Sequence, residues 1–78
     1  MLPYIDMEAT GKRINSLRIK QGMSVADIQR HFGFYTPQPV YKWLNGKSLP
    51  TVDNLVILAD LLKCKVDDIL VVIRETEK

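Results

Sequence analysis

Two short helical patterns joined by a tight connection constrain the fold of this chain more than any other feature. The first pattern has apolar residues at helical spacing, at Val25, Ile28 and Phe32. Ser24 is a good N-cap, and Asp27 follows it three residues later, an arrangement typical of a capping box. Gly33 ends the pattern, because glycine readily adopts the positive φ that closes many helices. A helix is therefore predicted over residues 25–32.

The second pattern predicts a helix over about residues 37–44, with Thr36 as its N-cap and Pro37 in the first helical position. Pro39 is compatible with this helix, since first-turn amides lack helical partners in any case. At about 100° per residue, the helix has an apolar side and a polar side. The apolar side contains Pro37, Val40, Trp43 and Leu44, and the polar side contains Gln38, Tyr41, Lys42 and Asn45. Too few residues separate the two helices for anything but a tight corner, so a helix-turn-helix is predicted.

The remaining sequence predicts three further helices and hence an all-α domain. The first helix follows Asp6 as N-cap, the fourth follows Thr51, and the fifth resumes at Val66 and continues to Ile73. The fourth is strongly apolar, with Val52, Leu55, Val56, Leu58, Ala59 and Leu62. The residues from Leu70 to Ile73 also have β-propensity, but no partner strand is evident, which favours a helix. The predicted organisation is an N-terminal tail over residues 1–5, one domain over residues 6–73 and a charged tail over residues 74–78.

Charge is concentrated in one part of the chain, although the net charge is only +2. Residues 11–47 carry seven basic residues and a single acidic residue, while the segments on either side are both net acidic. The basic residues are Lys12, Arg13, Arg18, Lys20, Arg30, Lys42 and Lys47. An ordinary solvated surface is the alternative explanation. Clustering around the helix pair favours binding to phosphates.

Several functional classes find no support in the sequence. A chain of 78 residues fits one small domain, with no room for a separate catalytic domain. No nucleophile–base pair, metal-ligand spacing or glycine-rich phosphate loop occurs, so neither an enzyme nor a cofactor is predicted, and no small-molecule substrate is evident. His31 has no metal-ligating residues at suitable spacing, and Cys64 is interpreted as a small buried apolar residue. One cysteine, no apolar run of membrane-spanning length and no signal peptide predict a cytoplasmic protein.

The chain resembles the phage repressor and Cro type of helix-turn-helix domain, known as the XRE family. The resemblance runs from about Gly11 to Leu70. It is carried by Gly22-Met23-Ser24, Ile28, Phe32-Gly33, Val40, Trp43, Asn45-Gly46-Lys47, Pro50, Leu55, Leu58-Ala59, Leu62 and Asp67-Asp68-Ile69-Leu70. It implies a five-helix, lambda-repressor-like fold without enzymatic activity that binds specific sequences in double-stranded DNA, commonly as a dimer on a palindromic operator. A role in transcriptional regulation, as a repressor, is implied by the same resemblance.

The resemblance also implies which residues meet DNA. Gln38 falls where the family places a base-reading residue, and Tyr41 and Lys42 fall at the next outward positions. Gln suits bidentate hydrogen bonding to adenine in the major groove. Asn45 and Lys47 match the loop that approaches the phosphate backbone, and Ser24 and Thr36 complete the predicted phosphate-binding set. Each of these side chains has the alternative of being merely solvated.

The sequence differs from the family pattern at three places. Val25 occupies a position where many members have a phosphate-contacting Gln, and Leu44 replaces a Glu that pairs with the residue matching Arg18. Arg18 is therefore predicted to face solvent or phosphate. The turn at Phe34-Tyr35 is one residue longer than usual.

Two other expectations concern partners. The apolar end of the fifth helix, Val71 to Ile73, predicts pairing with a second copy, unless Tyr4 and Ile5 cover that surface within one chain. A protein-interaction module, such as an antitoxin or accessory subunit with the same fold, is the alternative function.

Overall fold

The computed structural model describes residues 2–74, which form five helices and two short strands. In chain order these are β1 (Tyr4–Ile5), α1 (Met7–Lys20), α2 (Val25–Phe32), α3 (Gln38–Leu44), α4 (Val52–Leu61), α5 (Val66–Ile69) and β2 (Val72–Ile73). The all-α, five-helix prediction is confirmed. Residues 75–78, most of the predicted charged tail, lie outside the described part.

The predicted helix caps explain where three of the helices begin. The Ser24 hydroxyl accepts a hydrogen bond from the Asp27 backbone N–H at 3.0 Å, and the Asp27 carboxylate accepts one from the Ser24 N–H at 2.8 Å. This reciprocal pair is the predicted capping box. Asp6 and Thr51 accept in the same way from N–H groups in the first turns of α1 and α4. At the other end of α2, Gly33 has the left-handed conformation, with φ of 73°.

The second helix of the pair begins one residue later than predicted. Pro37 is the N-cap of α3 and Gln38 is its first helical residue. The Thr36 hydroxyl accepts from the Gln38 N–H at 3.4 Å, a long contact that is weaker than a usual cap. Thr36 is therefore next to the helix terminus, but the prediction that it is the N-cap was wrong.

The prediction that the fifth helix continues to Ile73 was also wrong, because α5 ends at Ile69. The following β-branched residues form β2, which pairs antiparallel with β1 through Tyr4 opposite Ile73 and Ile5 opposite Val72. The N-terminal segment is thus the partner strand that was not evident in the sequence. The alternative in which Tyr4 and Ile5 cover this edge within one chain is the arrangement found.

Two further hydrogen bonds attach this ribbon to α1. The Thr10 side chain is completely buried, and its hydroxyl accepts from the Val71 N–H at 3.0 Å. The Asp6 N–H donates to the Val71 carbonyl at 2.8 Å. Both backbone groups of Val71 are therefore satisfied just after α5 ends.

One apolar core joins the helices. Its fully or nearly fully buried members are Ile14, Ile28, Val40, Trp43, Leu55, Leu58, Ala59, Leu62 and Ile69. On α4 only part of the apolar sequence is used, since Val52 and Val56 are 77% and 57% exposed. At 100° per residue these two valines flank the buried side of α4, beyond the edge of the core.

The crossing of α1 over α3 depends on two glycines. A Cβ atom at Gly11 would lie 2.5 Å from the carbonyl oxygens of both Trp43 and Leu44. At Gly46, just beyond α3, a Cβ would lie 2.8 Å from Cα of Glu8, and the φ of 71° is itself unfavourable for other residues. The backbones of α1 and α3 therefore approach closely, which fixes the position of α3.

Candidate DNA interface

Helix α3 has one buried side and one exposed side, as predicted. Val40 is completely buried and Trp43 is 5% exposed. The four predicted polar residues, Gln38, Tyr41, Lys42 and Asn45, are all exposed. The apolar side is held by the core, so the orientation of the polar side follows from packing on the opposite surface of the same helix.

An aromatic cluster holds the turn between α2 and α3. The rings of Phe32 and Phe34 stack with centroids 5.2 Å apart, and both meet the Trp43 ring edge to face, at 5.4 and 5.9 Å. Such aromatic pairs contribute about 0.5–1.5 kcal/mol each beyond the area they bury. Phe34 therefore packs inward on α3.

The next residue of this turn, Tyr35, has a fully exposed side chain. It stands immediately before Thr36, at the N-terminal end of α3. In the sequence, Tyr35 was noted only as part of a long turn. Its exposure could have been anticipated, because Phe34 and Tyr35 are adjacent in the turn. If the Phe34 ring packs on the core, the Tyr35 ring is expected to face solvent.

The residues predicted to contact phosphate are exposed and lie at the ends of helices. Ser24 uses its hydroxyl oxygen as an acceptor in the capping box, which leaves its O–H as a donor. Thr36 lies next to the first turn of α3, where backbone N–H groups carry the positive end of the helix dipole. Asn45 and Lys47 follow the last turn of α3, and the Lys47 N–H donates to the Lys42 carbonyl at 2.9 Å.

Three of the basic side chains already have partners within the domain, and one of them, Arg13, donates from Nη1 to the Asp68 carbonyl at 2.7 Å. Arg30 forms an ion pair with Asp27 on the surface of α2. Arg18 donates from Nε to the Asn15 side-chain oxygen at 2.8 Å and from Nη1 to the Met23 carbonyl at 3.1 Å. Arg18 therefore stabilises the connection between α1 and α2, and its remaining N–H groups are free to meet solvent or phosphate.

The capping box alters the ionisation of an acidic group near this surface. The backbone N–H of Ser24 lowers the pKa of the Asp27 carboxyl, with smaller effects from the Ser24 hydroxyl and from Arg30. Asp27 thus remains ionised and neutralises one positive charge of α2. Elsewhere, burial raises the pKa of the Cys64 thiol, with a smaller contribution from Asp68, as suits an unreactive cysteine.

A cleft of about 460 Å³ lies between α1 and α3, beside the exposed side of α3. Tyr41 and Asn45 form part of its wall, and Lys12 and Ser16 of α1 line the opposite side. In the sequence, Lys12 is one charge among several, and Ser16 belongs to no predicted site. Neither could be assigned to this surface from sequence, because the crossing of α1 over α3 is a tertiary feature.

Two other kinds of site are absent from residues 2–74. No group of three or more His, Cys, Asp or Glu residues there is arranged to hold a metal ion. None of the helices α1 to α5 is long and apolar enough to cross a membrane.

Comparison with known proteins agrees with this architecture. A family model described as Helix-turn-helix matches residues 14–69, from the middle of α1 to the end of α5. The crystal structure of the DNA-binding domain of BldD has a similar fold, with a TM-score of 0.70 and 24% sequence identity over 83% of this chain and 93% of that one. No curated protein matches the chain. The family match spans most of the 78 residues, and the chain therefore belongs to the XRE family of helix-turn-helix DNA-binding domains.

Proposed function

We propose that this protein binds specific sequences in double-stranded DNA through α3 and regulates transcription, as a repressor. The observation that carries the proposal is the exposed polar side of α3 on a helix whose other side is fixed in the core. Family membership supports it, as does the similar fold of a domain described as DNA-binding. The proposal requires no catalytic residue, cofactor or small-molecule substrate, and it implies a cytoplasmic location, where DNA is accessible.

The dimensions of the groove suit α3. An α-helix with its side chains is about 10–12 Å across, and the major groove of B-DNA is about 12 Å wide. Gln38 stands in the first turn, and its amide is suited to a bidentate pair with adenine, in which its carbonyl oxygen accepts from the N6 amino group and its NH2 donates to N7. Tyr41 and Lys42 follow one turn later on the same side, within reach of a thymine methyl group and of guanine, respectively.

Phosphate contacts would set the position of the domain on the duplex without reading sequence. Asn45 and Lys47 lie after the C-terminus of α3, while Ser24 and Thr36 lie at the N-terminal ends of α2 and α3. Binding at both ends of α3 would hold the helix along the groove between the two backbones. Each ion-paired phosphate adds to the salt dependence of binding.

The experiment that tests the proposal compares sequence selection by two variants and the wild type. A random duplex pool is selected first with the wild-type protein, and the preferred site is then measured base by base. Gln38→Ala should reduce discrimination at one base position by about 1–3 kcal/mol and leave non-specific affinity nearly unchanged. The fold should be unaffected, since Gln38 is exposed.

The control is Val40→Ala, which changes the buried side of the same helix. It should destabilise the domain and weaken binding to every sequence without altering the preferred bases. If the wild type selects no sequence, the proposed function is wrong. If Gln38→Ala keeps the same preferences, another side chain reads that position, and Tyr41 and Lys42 become the residues to substitute.

We further propose that two copies act together as a homodimer. The supporting observation is a group of exposed aliphatic side chains on α4, where Val52 and Val56 are four residues apart and Ile57 is 41% exposed. Burying such a patch against a second copy would remove apolar surface from water. The same patch would serve the alternative function, a protein-interaction module, with another protein as its partner.

Sedimentation of the wild type and of Val56→Lys, with and without DNA, tests the dimer. The wild type should associate on DNA, and a charge at residue 56 should prevent this while leaving each domain folded. A wild type that stays monomeric at high concentration and on a two-site duplex would contradict the dimer, and an interaction module with a different partner would then be the better proposal.

A further inference from the structure

The cleft between α1 and α3 is lined by hydrogen-bond donors. From α1 it receives the side chains of Lys12, Ser16 and Arg18. From α3 it receives Tyr41, and from the C-cap of α3 it receives Asn45. None of its lining residues carries a carboxylate. A concave surface with two cations and several neutral donors attracts anions.

Arg18 is held in place before any ligand arrives. Two of its five N–H donors bond to Asn15 and to the Met23 carbonyl, which fixes the plane of the guanidinium. The same bond occupies the Asn15 side-chain oxygen, so Asn15 offers its amide N–H groups to the cleft. Leu44 is also a lining residue and supplies no charge to compete for Arg18. Ordering a free arginine costs side-chain entropy, and this cost is largely met within the folded domain.

The cleft lies along one edge of the exposed side of α3. On a helix with 100° per residue, Tyr41 lies about 60° from Gln38 in the direction of Leu44, whereas Lys42 lies about 40° away in the opposite direction. Tyr41 and Asn45 therefore belong both to the exposed side and to the wall of the cleft. A helix nearly as wide as the major groove has a sugar-phosphate backbone along each flank. The flank next to Tyr41 is the one that α1 borders.

We propose that this cleft binds a backbone phosphate of the DNA, with Lys12 and Arg18 supplying charge and Ser16 supplying a hydroxyl donor. The inference rests on the proposed function and deepens it, because it adds α1 as a further phosphate-binding element. It also orients the complex: α1 follows the strand on the Tyr41 flank of the groove. The phosphate of this site belongs to the duplex and not to a free anion.

The test measures the affinity for a selected duplex and for a random duplex over a range of salt concentrations. Lys12→Gln should reduce the slope of log affinity against log salt by about 0.9, which corresponds to about fivefold weaker binding near 0.15 M salt. The loss should be equal for both duplexes, because a phosphate contact carries no base information. Ser16→Ala removes a neutral donor, so it should weaken binding to both duplexes while leaving the slope unchanged.

Lys63→Gln is the matched control, since it removes the same charge from an exposed residue beyond α4, away from the cleft. Its salt slope should remain that of the wild type. If Lys12→Gln and Lys63→Gln behave alike while the wild type binds the selected duplex, the cleft does not hold a phosphate, although the proposed function stands. If the wild type binds no duplex, both fail together.

Titration with inorganic phosphate distinguishes the source of the anion. Amide resonances of Asn15 and Ser16 should shift on adding duplex and hardly move with inorganic phosphate at millimolar concentration. Saturation of these shifts by inorganic phosphate alone would overturn the assignment to the DNA backbone, because the cleft would then be a site for a free anion.

Discussion

Gly11→Ala tests the close approach of α1 to α3, on which the position of α3 depends. The added Cβ would lie 2.5 Å from the Trp43 and Leu44 carbonyl oxygens, against about 3.4 Å for an ordinary contact. One of the two helices must therefore move by about 1 Å. At an unobstructed helical position the same substitution would stabilise the fold by about 1 kcal/mol, through helix propensity. Overpacking costs about 1–3 kcal/mol, and backbone atoms cannot rotate away as side chains do.

Because the clash is with backbone atoms, the upper end of that cost applies, about 3 kcal/mol; less the propensity gain of about 1 kcal/mol, the net expectation is a loss of about 2 kcal/mol in the free energy of unfolding. Urea denaturation followed by circular dichroism measures this quantity directly. In a domain of this size each 1 kcal/mol corresponds to about 4–8 °C in Tm, so thermal unfolding should show a fall of roughly 8–16 °C. Affinity for a selected duplex should fall as well, even in the folded fraction, because α3 is displaced relative to α1.

Two controls separate the clash from other effects of alanine. Ser16 lies on the exposed surface of α1, so Ser16→Ala should leave the free energy of unfolding unchanged or slightly higher. Gly33→Ala has open space around the new Cβ but keeps a φ of 73°, so it should cost about 1–2 kcal/mol through backbone strain alone. A Gly11→Ala protein as stable as the wild type would refute the close packing of α1 on α3.

Three further predictions concern packing, phosphate binding and ionisation. Val40→Ala should lower the free energy of unfolding by about 1–3 kcal/mol, because a buried side chain is truncated; urea denaturation measures it, and an unchanged midpoint would contradict the burial. Lys47→Ala should weaken binding to selected and random duplexes equally in fluorescence anisotropy, whereas altered base preference would show that Lys47 reads sequence. The folded-state pKa of Asp27 lies below the ordinary carboxyl value of 3.8, chiefly because the Ser24 N–H donates to the carboxylate. The ionised carboxylate therefore stabilises the fold fully above pH 3.8, and this stabilisation is lost as the pH falls through the folded-state pKa. Asp27→Asn should therefore flatten the acid limb of the stability profile, and an identical limb in the variant would show that the capping box does not contribute.

The sequence by itself determined the structural features that depend on interactions between nearby residues. The capping box of Ser24 and Asp27 and the glycine at residue 33 bounded α2 as predicted, because both act within a few residues of the helix ends. The periodicity of α3 likewise separated its buried side from its exposed side, since a single helix can bury only one side against this core. The prediction that Gln38, Tyr41 and Lys42 face outward therefore needed only the helical repeat.

Tertiary structure decided the features that depend on distant parts of the chain. The strand at Val72–Ile73 exists because Tyr4–Ile5, at the other end of the sequence, supplies its hydrogen-bond partner. On α4, helical periodicity could not show that the core stops short of Val52 and Val56, which depends on the arrangement of the other helices. The cleft that joins Lys12 to Tyr41 likewise exists only because Gly11 lets the two backbones approach. Helix capping and helical periodicity depend on residues that are close in the sequence, so the sequence predicts them. Strand pairing and helix crossing depend on residues that are distant in the sequence and come into contact only when the whole chain folds.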